Sequence, residues 1–336
     1  MRILAIETSC DETAAAVCNN GEIVSSIVQS QKIHSTYGGV VPEIASREHD
    51  AYINDIVHRA LKSADCTFKD INFIAVTYGA GLLGSLLVGL NYAKGLSIGL
   101  KIPFLGVNHL EGHLCASYIS CQDLQYPYIC LLVTGGHTQI WEVNNAGNYI
   151  LHATTVDDAA GEAFDKGARI LGLDYPGGPE IEKAAENGDP FSYHFSIPQI
   201  KSNPLNFSFS GLKTAIFYKT QKMEENERLE NISNIAASYQ EVIIDTLLDR
   251  LTKVIHNTGI YSVSITGGVA SNKRFRSKAR NLLSNYKGKL FFPPLEYCTD
   301  NAAMIAIAGY KQLQAGHYSS LNLEANPNLA LDDVII

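Results

Sequence analysis

The most specific chemistry in the chain lies in one short stretch, Asn108-His109-Leu110-Glu111-Gly112-His113-Leu114. Asn108 suits a helix N-cap, because its side-chain oxygen can accept a bond from a free first-turn amide. On a helix starting there, His109 and His113 lie four residues apart and stack on one face. Two imidazoles at that spacing can hold one divalent metal ion. Glu111 follows His109 by two residues, about 200° round the helix, so it points away from such a metal. This separates the stretch from the zinc-protease pattern His-Glu-x-x-His, in which the glutamate acts as base. Two ordinary histidines on a surface helix would look the same locally, so the rest of the chain has to choose.

Three turns offer a second kind of chemistry. Residues 9–13, 134–138 and 267–272 each follow an apolar run and are built of small residues. Such turns expose backbone amides that can cradle phosphate oxygens, and glycine lets a ligand approach the backbone closely. Gly267-Gly268-Val269-Ala270-Ser271-Asn272 also opens a helix, whose dipole favours an anion. One Gly-Gly turn means little; three at corresponding points of a repeating chain point to a nucleotide cleft between two lobes. Glu162-Ala163-Phe164-Asp165-Lys166 supplies carboxylates near the second turn, suited to ribose hydroxyls or to a solvated helix face. Asp300 reads as an acid in a helix's first turn.

These residues need a frame. At 336 residues the length fits about two domains. An apolar fraction of 46% and a charged fraction of 18% are those of a water-soluble globular chain. The seven cysteines include no Cys-x-x-Cys pair and their number is odd, which argues against a disulfide framework or a four-cysteine zinc site and fits a reducing cytoplasm best. A net charge of −8 makes the whole chain a poor stand-alone binder of nucleic acid. The densest basic run, Lys273, Arg274, Arg276, Lys278 and Arg280, is the natural candidate for meeting a polyanion, or else a salt-bridged surface helix. Residues 71–93 lack formal charge over a membrane-spanning length, but Asn72, Tyr78, Ser85 and Asn91 interrupt them and three glycines crowd the middle. A buried strand, a turn and a buried helix are expected instead, with no membrane partner.

Apolar periodicity predicts strands at 3–8, 14–18, 71–77 and 104–107, and helices at 42–64, from the Gly79–Gly84 turn to Leu100, and from 109 to about 121. Ala45, His49, Tyr52, Ile56, Val57, Ala60 and Leu61 should face inward on the first helix. After Tyr126-Pro127 the strand, small polar turn, strand arrangement repeats at 129–143. A helix at 159–171 follows, then Tyr175-Pro176-Gly177-Gly178-Pro179 as a turn, an irregular stretch at 188–208, and a short helix capped by Ser210. A long helix over 232–256, a strand at 261–266 and a last helix starting at Thr299-Asp300 complete the pattern. The expected fold class is α/β, with a first lobe at 1–125, a second at 126–299 and residues 300–336 returning to the first.

The run Ile6-Glu7-Thr8-Ser9-Cys10-Asp11-Glu12-Thr13 resembles the opening motif of the bacterial TsaD family of tRNA threonylcarbamoyladenosine transferases, also described as the glycoprotease family. The runs Tyr37–Arg47, His109-x-Glu111-Gly112-His113, Gly135–Thr138, Asp157–Lys166, Tyr175–Pro179, Phe207–Thr214 and Cys298–Asn301 resemble the same family, in order over nearly the whole chain. Ala80, Thr134 and Ala270-Ser271 depart from the family's usual residues, all as exchanges of small side chains in turns. The resemblance implies the fold of the actin, hexokinase and Hsp70 ATPase (ASKHA) superfamily, two duplicated α/β lobes with a cleft between them. It implies that His109, His113 and Asp300 hold one divalent metal ion, Fe2+ ahead of Zn2+ or Mn2+. It implies that Leu132, Val133, Thr134, Gly135 and Gly136 bind an acyl-adenylate, that Asp165 and Gly178 hold its ribose region, and that Asn272 holds the nucleotide. Asp11 and Glu12 become candidates near the reacting centre. The implied reaction moves a threonylcarbamoyl group from threonylcarbamoyl-AMP to the exocyclic amine of a tRNA adenosine just 3′ of the anticodon. The implied partners are tRNA, a paralogous metal-free ASKHA subunit and a small P-loop ATPase. A metalloendopeptidase and a small-molecule kinase of the same superfamily are the rival readings.

Overall fold

The computed structural model describes residues 1–331 apart from 38, 122, 198, 199, 201 and 202. Gly38 of the Tyr37–Arg47 run, four residues of the stretch expected to be irregular, and residues 332–336 thus lie outside the described residues. The strands are β1 (Arg2–Glu7), β2 (Glu12–Asn19), β3 (Glu22–Ser30), β4 (Phe73–Gly79), β5 (Phe104–Asn108), β6 (Tyr128–Val133), β7 (Thr138–Asn145), β8 (Asn148–Thr154), β9 (Ser262–Thr266) and β10 (Lys289–Phe291). The helices are α1 (Pro42–Ser63), α2 (Leu83–Leu100), α3 (His109–Cys115), α4 (Ala160–Leu171), α5 (Gly177–Ala185), α6 (Ser210–Gln221), α7 (Glu225–Thr258), α8 (Lys273–Asn285) and α9 (Ala302–Gln314).

The chain divides into two units. The first comprises Met1–Leu124, Asn144–Tyr149 and Pro293–Ile336; the second comprises Gln125–Val143 and Ile150–Phe292. Each is built on a five-stranded sheet, ordered β3-β2-β1-β4-β5 in the first and β8-β7-β6-β9-β10 in the second. Strand for strand the two orders correspond, so the repeat of strand, turn and strand read from the sequence is a duplication of topology. In both, the first strand pairs antiparallel with the second (β1 with β2, β6 with β7) and parallel with the fourth (β1 with β4, β6 with β9). A parallel neighbour needs a crossover of a dozen or more residues, and the helical segments supply it.

The first sheet is covered on both faces, which is why its strands read as unbroken apolar runs. Ile3 and Ala5 of β1, with Ala14, Ala16, Phe73, Ala75, Leu105 and Val107, lie in one core with Ala302–Ala308 of α9. Leu4 and Ile6, with Ala15, Val17, Ile74, Val76 and Phe104, lie in a second core with α1 and α2. Alternate residues of one strand thus serve opposite faces, as the pleat requires. In the second unit β6 is buried along its whole length. The buried stripe Ile235, Tyr239, Val242, Ile243, Leu247, Leu251 and Val254 runs along α7, which ends at Gly259 with φ 70°.

Several local expectations need correction. Tyr52 is exposed and Ile53 takes its place in the stripe of α1, continuing Ala45 and His49 at four-residue steps while the phenol stays in water. Tyr175–Pro179 is not a turn alone: Gly177 opens α5, and Pro179 is tolerated in a first turn, where amides have no partner within the helix. Ser210 does not cap α6. Asp157 does, accepting from the amides of Phe209 (2.7 Å) and Ser210 (3.3 Å) and from the hydroxyls of Ser208 and Ser210. The helix of the two histidines ends at Cys115 and continues as a 3-10 turn over Ala116–Ile119. The long helix begins earlier than 232, at Glu225, where Glu225 and Glu227 favour the positive end of the dipole. The last helix begins at Ala302, so Asp300 stands outside it rather than in its first turn. Among the described residues no helix is long and apolar enough to cross a membrane; residues 71–93 form β4, a glycine turn and the start of α2.

Candidate functional site

The first unit gathers the proposed metal ligands. Asn108 ends β5 and caps α3, its side chain accepting from the Leu110 amide at 2.8 Å. Loss of such a cap costs about 0.5–2 kcal/mol, so this bond helps fix where the first histidine leaves the strand. His109 and His113 then share one face, with ring centroids 4.8 Å apart and planes nearly perpendicular. Asp300 reaches the same point from just ahead of α9. Its Oδ1 lies 3.0 Å from His113 Nε2 and its Oδ2 3.7 Å from His109 Nε2. One ligand atom from each of the three falls within 4.8 Å of the others.

Glu7, to which no sequence motif assigns a role of its own, completes this arrangement. It is fully buried at the end of β1, and its carboxylate accepts from the Ser9 amide and the Thr77 hydroxyl. Its Oε2 lies 3.2 Å from His109 Nδ1, and the Ser9 hydroxyl lies 3.1 Å from the same nitrogen. Burial alone would raise the Glu7 pKa, but the His109 imidazole beside it holds the carboxyl below its usual range. Burial works against a charge on His109, yet Asp300 and Glu7 outweigh it and lift that ring to about 9.

The group fits a metal ion. Two imidazole nitrogens and a carboxylate oxygen are a donor set for iron, zinc or manganese; ligand bonds of ~2.1 Å give ligand–ligand edges of roughly 3.0–3.4 Å, which the 3.0 Å His113–Asp300 pair matches and to which the wider pairs would draw in around an ion. Metal-bound histidines usually give their second nitrogen to a carboxylate, as His109 Nδ1 does to Glu7. Negative charge is also crowded here. Glu12, at the start of β2, has its carboxyl pushed up to about 9 by burial and then by Asp300, Asp11 and Glu7. A divalent cation would relieve that crowding. The structure therefore brings Glu12 into the electrostatic range of the triad, with Asp11 as its sequence neighbour.

Glu111 points elsewhere, as its spacing predicts. It is buried, and its Oε1 accepts from the Tyr149 hydroxyl at 2.6 Å and from Gln312 Nε2. A zinc-peptidase base would have to face the metal, and this carboxylate is engaged on the other side of α3.

The second unit carries the glycine loops. Thr134 shapes the first: its hydroxyl accepts from the amides of Gly136 (3.3 Å) and His137 (2.9 Å), and its own amide donates to His137 O (2.8 Å). A Cβ added at Gly135 or Gly136 would meet nothing within 4 Å, so both present open backbone. Leu132 and Val133 are fully buried β6 side chains and can serve a ligand only by placing this loop. Gly161, at the start of α4, lies against the loop; a Cβ there would come within 2.6 Å of Thr134 O. Gly267, with φ 93°, approaches the end of β6 as closely, its hypothetical Cβ 2.4 Å from Val133 O.

Asp165 accepts from the Gly177 amide at 2.7 Å, which ties α4 to the start of α5, while Gly178 beside it is open. Burial raises the Asp165 carboxyl, the Gly177 amide opposing it. Asn272 is buried and caps α8, accepting from the Phe275 amide at 2.9 Å and donating to Gln240 at 2.6 Å. The basic run that follows is largely engaged within the unit. Arg274 and Lys278 pair with Glu241, and Lys278 also with Asp245. Arg276 donates to Ala270 O at 2.6 Å and lies 4.5 Å above the Phe292 ring.

Two sheets of matching strand order and a His-His-Asp group define an ASKHA-fold protein with a candidate metal centre. The fold agrees with solved structures. The chain is similar to full-length HypF in its phosphate- and nucleotide-bound form, with a TM-score of 0.62 at 14% identity, over 94% of this chain and 46% of that one. It is also similar to the activator of 2-hydroxyisocaproyl-CoA dehydratase from Clostridium difficile, with a TM-score of 0.53 at 16% identity, over 94% and 97% of the two chains. The family model described as TsaD, tRNA N6-adenosine threonylcarbamoyltransferase, matches residues 22–307. The enzyme of that name from Thermosipho africanus is 48% identical over 332 residues, covering 98% of this chain and all of that one. The chain belongs to the TsaD family.

Proposed function

We propose that the chain transfers the threonylcarbamoyl group of threonylcarbamoyl-AMP to the exocyclic amine of the adenosine just 3′ of the anticodon, in tRNAs reading codons that begin with adenine, with AMP leaving. The reading is supported by membership of a family of tRNA N6-adenosine threonylcarbamoyltransferases over most of the chain. The structural observation that carries it is the convergence of His109, His113 and Asp300 with Glu7 behind His109. A divalent ion bound there, Fe2+ ahead of Zn2+ or Mn2+, supplies Lewis acidity for polarising a carbonyl or phosphoryl oxygen.

The remaining work falls to the chain's own groups. The open backbone of Gly135 and Gly136 gives adenylate phosphate oxygens close access to the loop after β6. Leu132 and Val133 fix that loop from the core, and Asn272 fixes the start of α8. Asp165 and Gly178 stand where α5 begins and take the ribose region in this reading. The amine must lose a proton as its nitrogen attacks the carbonyl carbon and the bond to the phosphate oxygen breaks. Asp11 and Glu12 are the carboxyls proposed to receive it; without a cation the Glu12 carboxyl is pushed up to about 9 and holds its own proton near neutral pH, so Glu12 could accept one only with a divalent ion bound nearby. No nucleophilic side chain is required, because the acyl group arrives activated.

The protein would work in the cytoplasm with tRNA, a paralogous metal-free ASKHA subunit and a small P-loop ATPase. The buried, doubly bonded Glu111 leaves a metalloendopeptidase without its base. A small-molecule kinase leaves the His-His-Asp group without a purpose. The test is nucleoside analysis of unmodified tRNA after incubation with threonylcarbamoyl-AMP, the metal-loaded protein and its partners. Threonylcarbamoyladenosine should form and His109→Ala should abolish it. Formation of none with wild type under those conditions would overturn the reading.

A further inference from the structure

The buried carboxylate of Glu111 lies on the same short helix as two metal ligands yet faces away from them. Its surroundings explain why an acid is there. Oε1 accepts from Gln312 Nε2 on α9 and from the Tyr149 hydroxyl, which itself accepts from the Gly147 amide at 3.0 Å. Gln312 is held in that orientation, because its Oε1 meets His317 Nδ1. Two donors thus converge on one acceptor oxygen, and the bond to Gln312 ties α3, which carries His109 and His113, to α9, which follows Asp300.

The two helices also touch at Gly112. A Cβ there would come within 2.7 Å of Ile305 Cδ1 and 3.2 Å of Met304 Cγ. At the near end of α9, Asn301 accepts from the Met304 amide at 2.9 Å and donates to Thr299 O at 2.7 Å, so the backbone is clamped on both sides of Asp300. Asp300 therefore moves with α9, and the histidines move with α3. A seam closed by van der Waals contact alone would let one helix slide on the other. A buried polar bond is directional, and losing one partner leaves the other unsatisfied at a cost of about 1–3 kcal/mol.

We propose that Glu111 is a positioning residue for the metal group: by bonding Gln312 and Tyr149 it sets the separation of α3 and α9 at which His109, His113 and Asp300 converge. This rests on the reading of those three residues as metal ligands. The probe is Zn2+, with its dissociation constant measured by competition against a chromophoric chelator, and the visible absorption of bound Co2+ as a report of ligand geometry. Glu111→Gln keeps an oxygen that can accept from both donors, so it should bind Zn2+ within about threefold of wild type. Glu111→Leu and Gln312→Leu should each weaken Zn2+ binding by about 10–100-fold, the range for groups that orient ligands, and should alter the Co2+ spectrum. The double Leu variant should be little worse than either single one, since the two act through one bond. A purely structural role would lower the melting temperature and leave the Zn2+ affinity of the folded protein unchanged. The proposal fails if the folded Leu variants bind Zn2+ like wild type, or if Glu111→Gln falls as far as Glu111→Leu. If Glu111→Leu does not fold, Gln312→Leu decides alone. Stoichiometric Zn2+ in His109→Ala would instead overturn the metal reading itself.

Discussion

Glu7 Oε2 lies 3.2 Å from His109 Nδ1, on the side of the ring away from Asp300. The end of β1 thereby selects which nitrogen of a residue 102 positions later is left to face the acid. A charged Glu7 favours keeping the proton on Nδ1, which leaves Nε2 as the nitrogen that gives up its proton to a metal. The duplicated fold matters to the site in this concrete way: β1 and β5 are both neighbours of β4, and their C-terminal ends carry Glu7 and the start of the histidine helix.

Glu7→Gln should test that relationship. The amide is uncharged and brings an NH2 group to a place where the Ser9 amide, the Thr77 hydroxyl and His109 all look for an acceptor. Metal affinity should fall by about 10–100-fold, with nucleotide binding unchanged. Equal metal affinity in titrations of the two proteins would show that Glu7 is only a buried structural acid.

The crowding of charge gives the metal-free protein a definite pH response. Glu12 sits near 4.5 when free and is pushed up to about 9 in the fold, so the folded state keeps a proton that the unfolded chain releases. Stability from this source is lost as pH rises from about 4.5 towards 9. His109 rises from 6.5 to about 9, and its contribution is complete below about 6.5 and gone above about 9. Both act in one direction, so the melting temperature should fall between pH 6 and 9. Zn2+ should flatten or reverse that fall, because metal and protons compete for the same groups. Melting curves of metal-free protein that stay level over this range would contradict the assigned shifts.

The parts of this molecule legible in the sequence are those set by local periodicity. The start of α3 is readable because Asn108, His109 and His113 act within one turn of one another, and the strand-turn-strand repeat because both copies are short and apolar. Asp300 joins the histidines only through a family resemblance, since the fold brings it across 187 positions. Glu7 gives no local signal, because its partners Thr77 and His109 are 70 and 102 positions away. The Asp157 cap of α6 is hidden for the same reason, whereas the serine next to that helix looks sufficient. Strand β3 lacks the two-sided apolar run of a buried strand: its Ser, Gln and Glu residues fit a sheet edge, and the sheet order places it there.

The loop after β6 permits a paired test. Gly135→Val adds a side chain where nothing lies within 4 Å, so the fold should tolerate it while the branched side chain occupies the space proposed for an adenylate. Calorimetry should show adenylate binding abolished and metal binding intact. Gly161→Ala should do the reverse kind of damage, since its Cβ would lie 2.6 Å from Thr134 O and the loop or α4 must shift. That overpacking should cost about 1–3 kcal/mol of stability. Normal adenylate affinity in Gly135→Val would remove residues 134–136 from the site.

The tRNA surface can be tested on α8, where the ion pairs decide which cations to change. Arg274 and Lys278 are paired with acids, and Arg276 holds the carbonyl of Ala270 in the turn ahead of Asn272. Charge reversal at Arg276 would therefore disturb the turn ahead of Asn272 as well as any RNA surface. Lys273 and Arg280 are exposed, and they are the cleaner pair to change. Removing one cation that neutralises a phosphate should flatten the log–log salt dependence of binding by about 0.7–0.9. The Lys273→Gln/Arg280→Gln protein, assembled with its partners, should bind tRNA more weakly at low salt with a slope shallower by up to about 1.8. Its adenylate and metal binding should match wild type. An unchanged slope would place the RNA surface away from this helix, whatever the change in activity.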